Sequence, residues 1–137
     1  MSAPPQTPRK PARAKIAKPL TERRLLGDAG EDAAAALLAA QGFTVIARNH
    51  RTRRGEVDLI AERGELLVFA EVRTRSTDAF GTPEATVDAR KQARVIAAAR
   101  DFLARWRGPE RAIRFDVIAV VGAEVRHVPG AFDAGGW

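Results

Sequence analysis

The stretch from Gly55 to Arg73 has the alternating pattern of a β-hairpin. Two apolar runs flank a turn signal, ERGE at residues 62–65, and such a turn between apolar runs is typical of a hairpin. We predict that Arg63 and Gly64 form a two-residue loop, which would place Glu62 opposite Glu65. Side chains alternate between the faces of a strand. One face of the predicted hairpin is therefore apolar throughout, with Val57, Leu59, Ala61, Leu66, Val68, Ala70 and Val72.

The opposite face of this hairpin changes character along its length. Near the turn it carries Ile60, Leu67 and Phe69, and at the far end it carries Glu56, Asp58, Glu71 and Arg73. A hairpin that is apolar on both faces is a central, covered one. Carboxylates grouped at the end of a covered sheet repel each other and resist desolvation. We therefore expect a cation there, either Arg73 or a divalent metal held by carboxylate oxygens, or both together.

A helix is predicted from about Thr21 to Gln41, because the segment is rich in alanine and leucine and is followed by Gly42. Helical periodicity puts Glu31 at the edge of the buried stripe, where geometry alone indicates an ordinary boundary glutamate. The pattern predicts Asp28, Asp32, Ala35 and Ala39 on the solvent side. The predicted buried stripe contains Leu26, Ala29, Gly30, Ala33, Ala36, Leu37 and Ala40.

A strand from Phe43 to Asn49, with Phe43, Val45 and Ala47 on one face, leads into a strongly basic loop. The loop is either a solvated segment or an edge that contacts phosphates. Its nearness in sequence to Glu56 and Asp58 favours the second interpretation. The basic side chains are Arg48, Arg51, Arg53 and Arg54.

Residues 74–81 are predicted to form a polar loop that contains Arg75, and Thr82-Pro83-Glu84 resembles a helix start. Asp88 is the alternative N-cap of the main helix, placed at about Ala89 to Arg105. Lys91 and Gln92 lie in its first turn, where a helix can present side chains to an anion. The apolar line of this helix is Val95, Ile96, Ala99, Phe102, Leu103 and Trp106.

Two further strands are predicted at the end of the chain. Residues 113–121 are apolar enough for a central strand, and residues 124–128 fit a short edge strand. Asp116 is a candidate buried acid, for which a partner such as Arg114 is the simplest explanation. The segment after residue 128 carries no chemistry that we can interpret.

Composition narrows the classes of function. The 137 residues, 45% of them hydrophobic, fit one domain plus a tail. Cysteine is absent and the two histidines, His50 and His127, are far apart in sequence, so zinc and thiolate chemistry are not expected. Five of the 23 basic side chains and none of the acidic ones fall in residues 1–20. This proline-rich segment is predicted to be a disordered tail that either contacts phosphates or only aids solubility.

The domain proper is then residues 21–137. No apolar run is long enough to span a membrane, and the N-terminus lacks the apolar core of a signal peptide. We therefore expect a cytoplasmic protein with no membrane partner.

Several short motifs occur in a characteristic order between about Leu26 and Val121. They are Gly30-Glu31, Gly42-Phe43, Arg48-Asn49, GEVDLI at 55–60, FAEVRTR at 69–75, Phe80-Gly81, Lys91 and RFDV at 114–117. In these motifs the chain resembles the YraN-like family of small bacterial proteins, predicted nucleases related to Holliday-junction resolvases. The resemblance implies an α/β fold with a restriction-endonuclease-like core, a central mixed β-sheet flanked by helices in the order αβββαββ.

The resemblance also implies roles for individual residues. Asp58 and Glu71 match the two strand acids that bind Mg²⁺ or Mn²⁺ in this nuclease superfamily, and Glu31 matches the helix glutamate that often completes the metal site. Lys91 or Gln92 matches a residue placed beside the phosphate in some members. The implied activity is a metal-dependent endonuclease acting on DNA, with branched or damaged DNA as the candidate substrate. Nucleic-acid contacts are expected from Arg51, Arg53, Arg54, Arg75, Lys91 and Gln92.

Arg73 departs from the superfamily pattern, which has lysine at this position. An arginine can supply positive charge and forked donors as a transition-state clamp, but it cannot lose a proton as a base can. Two alternatives to an enzyme therefore stay open. One is a catalytically silent nucleic-acid-binding adaptor in recombination, repair or DNA uptake, and the other is a protein–protein interaction domain. Resolvase-like relatives often act as dimers, so a homodimer is one option.

Overall fold

The computed structural model describes residues 22–75 and 87–135, with side chains from residue 28 onward. The predicted tail at residues 1–20 and the predicted helix start at residues 82–84 lie outside the described residues. The described residues form two helices and five strands, in the order αβββαββ. Their bounds are α1 Glu22–Ala40, β1 Thr44–Arg51, β2 Glu56–Arg63, β3 Leu66–Arg75, α2 Ala89–Ala104, β4 Ala112–Val121 and β5 Glu124–Phe132.

The five strands form one mixed sheet in the order β1-β2-β3-β4-β5. The pair β3–β4 is parallel and the other three pairs are antiparallel. One core cluster lies between the sheet and α1, and a second lies between the sheet and α2. The predicted α/β fold with a central mixed sheet and this order of elements is therefore confirmed. Within the described residues, neither helix has the length and apolar character needed to cross a bilayer.

The register of the β2–β3 hairpin differs from the prediction by one loop position. Arg63 pairs with Leu66, so the loop is Gly64-Glu65 rather than Arg63-Gly64. Gly64 has a φ of 57°, and a type II′ turn favours glycine at the first loop position for this reason. The shift moves every partner by two residues, which preserves the assignment of side chains to faces.

Val57 is the exception to the predicted faces. The β2–β3 backbone pairing ends at Leu59 and Ala70, and beyond it the Asp58 carboxylate accepts the hydrogen bond of Val72 N. Because the backbone ladder stops there, strict alternation is not maintained. Val57 consequently packs in the α2-side cluster, apart from Leu59.

Helix α1 has the predicted length but a different rotational phase. Alanine occupies so many positions that apolar spacing alone does not fix which face is buried. Ala35, predicted on the solvent side, is buried, whereas Ala29, Ala36 and Ala40, predicted in the core, are exposed. The face that packs on the sheet consists of Gly30, Ala34, Ala35 and Leu38.

Strands β1 and β3 are longer than predicted. A register shift between Val45 and Ala47 interrupts the alternation of β1, so Val45 packs on the α1 side and Ala47 on the α2 side. Strand β3 continues through Thr74 and Arg75, which were predicted in a loop. Parallel pairing with Val120 and Val121 of β4 accounts for this extension, because it satisfies the backbone groups of both residues.

Strand β5 also continues beyond its predicted end at Val128, as far as Phe132. A register shift between Phe115 and Val117 accommodates the proline and glycine in the middle of β5. Phe132 then stacks on Phe115, with 5.2 Å between ring centroids. The segment after Val128 thus contributes to the core.

Asp116 is fully buried and is held by three residues. Arg114 donates two hydrogen bonds of 2.8 Å to its carboxylate, Gly130 N donates one of 3.0 Å, and His127 Nε2 lies 2.7 Å away. Burial pushes the pKa of Asp116 up, but these hydrogen bonds outweigh it, and the pKa lies below its usual value. The predicted partner Arg114 is confirmed, and His127 is an additional partner that the sequence did not indicate.

Gly55 lets the β1–β2 loop contact α2 directly. A Cβ atom at this position would lie 1.9 Å from the carbonyl oxygen of Arg94, and a backbone carbonyl in a helix cannot move aside. We expect Gly55→Ala to lower the free energy of unfolding by about 2–4 kcal/mol. Denaturant unfolding measures this loss, and Gly122→Ala is a turn control whose Cβ would meet nothing within 4 Å, so that it carries only the cost of about 1 kcal/mol for alanine at a φ of 62°. An unchanged midpoint for Gly55→Ala would contradict the close contact.

Candidate active site

Two of the predicted site residues, Asp58 and Glu71, lie together at the end of the β2–β3 hairpin. The Asp58 Oδ2 atom accepts a 2.8 Å hydrogen bond from Val72 N, and the two carboxyl groups are close enough to hydrogen-bond to each other. Glu71 is only 3% exposed. Its Oε1 atom is buried and has no hydrogen-bond partner among the described residues. A buried carboxyl oxygen without a partner is costly, and such groups cluster at functional sites.

Burial raises the pKa of Glu71 to about 8, with the charge of Asp58 as the second cause. Lys91 and Arg73 act in the opposite direction on this pKa without cancelling the effect. Burial also raises the pKa of Asp58, although the hydrogen bond from Val72 opposes the shift. At neutral pH this pair therefore retains a proton, unless a cation stabilises the ionised form.

Glu31 reaches the same region from α1. A Cβ atom on Gly30 would lie 2.2 Å from Thr74 Oγ1, so the missing side chain lets α1 approach β3 closely. Glu31 is half-buried and accepts a 3.2 Å hydrogen bond from Asn49 Nδ2. Burial, and next the charge of Asp58, raise the pKa of Glu31. The rotated phase of α1 thus brings Glu31 toward the sheet. The resemblance implied this position, whereas helix periodicity predicted an ordinary boundary glutamate.

The three acids do not form one closed cluster. Among the described residues, no group of three or more acids and histidines is close enough to hold a metal jointly. What the structure shows is electrostatic coupling of Glu31 with Asp58 and of Asp58 with Glu71. Asp58 is the residue common to both pairs.

Cationic side chains face the acids, as the charge pattern of the hairpin required. Lys91 Nζ lies 3.4 Å from Glu71 Oε2 and 4.0 Å from Glu56 Oε2. Asp88 caps α2 by accepting a 2.9 Å hydrogen bond from Lys91 N, which confirms the predicted N-cap and positions Lys91 in the first turn. Arg73 is near enough to lower the pKa of Glu71.

The remaining predicted nucleic-acid-binding residues are distributed differently. Arg51, Arg53 and Arg54 line a surface cavity between the β1–β2 loop and α2. Gln92 uses its side chain to donate a 3.0 Å hydrogen bond to Val87 O, so it closes the start of α2. Arg75 ends β3, with its carbonyl bonded to Gly122 N at 3.1 Å.

Arginines 100 and 105 also line this cavity, and the sequence analysis did not assign them to a site. Helix spacing puts Arg100 on the same face as Ile96 and Arg105 on the same face as Asp101, but only the structure shows that this face meets the basic loop.

Comparison with known proteins identifies the family. Residues 30–120 match the model of "Uncharacterised protein family UPF0102". A UPF0102 protein of Anaeromyxobacter dehalogenans is 53% identical over 118 residues, which cover 83% of this chain and 88% of the relative. One of Myxococcus xanthus is 51% identical, with 83% and 94% covered, and one of Syntrophotalea carbinolica is 46% identical, with 86% and 100% covered. The chain therefore belongs to the UPF0102 family, which is the YraN-like family that its motifs indicated.

Proposed function

We propose that this protein is a metal-dependent endonuclease that hydrolyses phosphodiester bonds in DNA. The observation that carries the proposal is the buried pair of Asp58 and Glu71. Two adjacent carboxyl groups with raised pKa values reduce the stability of a core. Such a pair therefore indicates that the function requires it at this position. A divalent cation would convert this unfavourable pair into a ligand set.

The donor atoms fit Mg²⁺ or Mn²⁺. Both ions prefer carboxylate oxygens, and Glu71 Oε1 is a buried oxygen with no hydrogen-bond partner among the described residues. Asp58 and Glu71 would hold the ion, and Glu31 would add negative charge from the α1 side without being a direct ligand. When bound, such an ion supplies Lewis-acid activation of the attacking water and neutralises charge on the phosphoryl group.

The chain's own cations would then act on the substrate. With the ion bound to Glu71, Lys91 at the start of α2 is available to a phosphate oxygen, where the helix N-terminus adds a favourable dipole. Arg73 offers a forked donor to the phosphoryl group in the transition state. Because a guanidinium group stays protonated, Arg73 binds and orients but does not accept a proton.

A second candidate function is nucleic-acid binding without cleavage. The observation that favours it is the ion pair between Lys91 and Glu71, with 3.4 Å between Nζ and Oε2, which gives Glu71 a positive neighbour without a metal. Replacement of the superfamily lysine by Arg73 points the same way. In that case Asp58, Glu71 and Lys91 form a structural charge cluster.

Cleavage assays on defined substrates separate the two functions. We expect the purified protein to cut at least one of a panel of single-stranded, duplex, flap and four-way-junction DNAs in the presence of Mn²⁺. Excess chelator should abolish the cutting because the ion is required. Binding without product on every substrate, with either Mn²⁺ or Mg²⁺, would contradict the endonuclease and favour the binding module.

A further inference from the structure

Five arginines surround the cavity between the β1–β2 loop and α2, which has a volume of about 740 Å³. The end of β1 and the following loop contribute Arg51, Arg53 and Arg54, and α2 with its C-cap contributes Arg100 and Arg105. Asp101 is the acid in the lining. Its carboxylate lies 3.0 Å from His50 Nε2 and 3.4 Å from Arg105 Nη2, so it offsets the charge of one of the five arginines. The cavity is therefore strongly cationic.

The loop that forms one wall of the cavity is held in a fixed conformation. The Thr52 hydroxyl accepts 3.1 Å hydrogen bonds from Arg54 N and Gly55 N. Thr52 N donates a 2.8 Å hydrogen bond to Gly55 O, and Gly55 contacts the α2 backbone at Arg94. The arginines on this loop are thus presented from an ordered turn, which lowers the entropic cost of binding an anion.

Between the arginines, the α2 wall is apolar, with Ala93, Ile96 and Ala97. Cavities of about 300–1,000 Å³ accept small molecules, and a nucleotide is within this class. Guanidinium groups bind phosphate through paired donors and also stack on the face of a base. An apolar surface bordered by arginines suits an unpaired nucleotide, whose base is free to enter. Bases that are paired and stacked in a duplex cannot enter such a concavity.

A continuous chain of contacts joins this cavity to the carboxyl pair. Arg51 Nε, in the cavity lining, lies 3.3 Å from Glu56 Oε1. Glu56 Oε2 lies 4.0 Å from Lys91 Nζ, which in turn lies 3.4 Å from Glu71 Oε2. Only the side chains of Glu56 and Lys91 therefore lie between Arg51 of the cavity and Glu71 of the carboxyl pair in this series of contacts.

We propose that the arginine cavity binds an unpaired nucleotide of the strand next to the cleaved bond. This rests on the proposed endonuclease function, and it narrows the substrate class to DNA that contains a single-stranded segment. The recognition is by phosphate charge and base stacking, so the site would not select a base sequence.

The test is a binding titration of the full chain in chelator, where no cleavage occurs. A labelled thymidine oligonucleotide and a duplex of the same length are titrated at several salt concentrations. The cavity variant is Arg53→Ala with Arg100→Ala, which removes one arginine from each wall. Its control is Arg107→Ala with Arg126→Ala, which removes the same charge at exposed or half-exposed positions outside the cavity lining.

For the cavity variant, we expect the single-strand dissociation constant to rise at least about tenfold. We also expect the slope of log affinity against log salt to fall by about 1.4, the release expected from two lost phosphate contacts on a single strand. The control should change affinity by less than about threefold, and duplex binding should weaken less than single-strand binding in the cavity variant.

Equal losses in the cavity variant and the control would overturn the assignment, and so would equal losses for duplex and single strand. Failure of the endonuclease proposal gives a distinct result: no substrate is cut, while the cavity variant still loses single-strand affinity. That outcome would support the arginine cavity as a nucleotide-binding site and would contradict only its position next to a cleaved bond. Cleavage with unchanged binding in the cavity variant would refute this site alone.

Discussion

Replacement of Asp58 by asparagine is expected to reduce Mn²⁺-dependent cleavage by at least about 10³-fold, with the fold retained. Asparagine keeps the shape of the side chain, and its amide oxygen can still accept the hydrogen bond from Val72 N. It loses the negative charge that would hold the ion. Because Asp58 is the residue coupled to both Glu31 and Glu71, its loss affects the whole ligand set. Initial rates on the best substrate of the panel measure the effect.

The matched control for this experiment is Asp32→Asn. Asp32 is an exposed acid on α1 whose Oδ1 pairs with Arg48 Nη1 at 2.7 Å, so the change also removes one carboxylate but not from the hairpin. The Asp32→Asn protein should cleave DNA at close to the wild-type rate. The thermal midpoints of both variants should stay close to that of the wild type if the fold is intact. If Asp58→Asn cut as fast as Asp32→Asn, Asp58 would not be a metal ligand.

Replacement of Glu71 by glutamine is expected to stabilise the metal-free protein, and increasingly so at higher pH. The folded state raises the pKa of Glu71 from 4.5 to about 8, so it binds the proton more tightly than the unfolded chain does. This contribution to the free energy of unfolding is complete below about pH 4.5 and disappears as the pH rises through about 8. Glutamine resembles the protonated form and does not titrate. The gain should be on the order of 2 kcal/mol or more at about pH 9 and below about 1 kcal/mol at about pH 5.

Thermal unfolding in chelator between these two pH values tests this expectation. Glu56→Gln is a suitable control, because Glu56 faces the same Lys91 but is 35% exposed, and it lacks the burial that drives the effect. If the gain in stability of Glu71→Gln did not grow with pH, the raised pKa of the buried Glu71 would be contradicted. With Mn²⁺ in place of chelator, the wild type should become more stable than Glu71→Gln, because the ion stabilises only the protein that binds it.

The hairpin shows why the site could be predicted from sequence although its register could not. The alternation of polar and apolar residues fixes faces, and a shift by two residues preserves them. Asp58 still meets Glu71, although alternation fails at the neighbouring Val57. The loop position depended on the φ angle of Gly64, which the pattern does not report. The end of the β2–β3 pairing, which moved Val57 to the other cluster, depends on the hydrogen bond from Val72 N to Asp58.

Helix α1 shows where local pattern lacks information. With alanine at most positions, the buried face is decided by tertiary contacts such as the close approach of Gly30 to Thr74. Helix periodicity therefore indicated a boundary role for Glu31, and only the family motif indicated the site. His127 and the second half of β5 were missed for a similar reason. Both are fixed by contacts with Asp116 and Phe115 on the neighbouring strand, which no local pattern reveals.

The central claim is that Asp58 and Glu71 together bind a divalent cation, and calorimetric titration with Mn²⁺ near neutral pH tests it most directly. We predict saturable heat that fits one ion per wild-type chain, and no saturable heat with either Asp58→Asn or Glu71→Gln at the same concentrations. The Asp32→Asn protein should titrate like the wild type. Wild-type protein without saturable heat, or with heat that both variants reproduce, would contradict the claim.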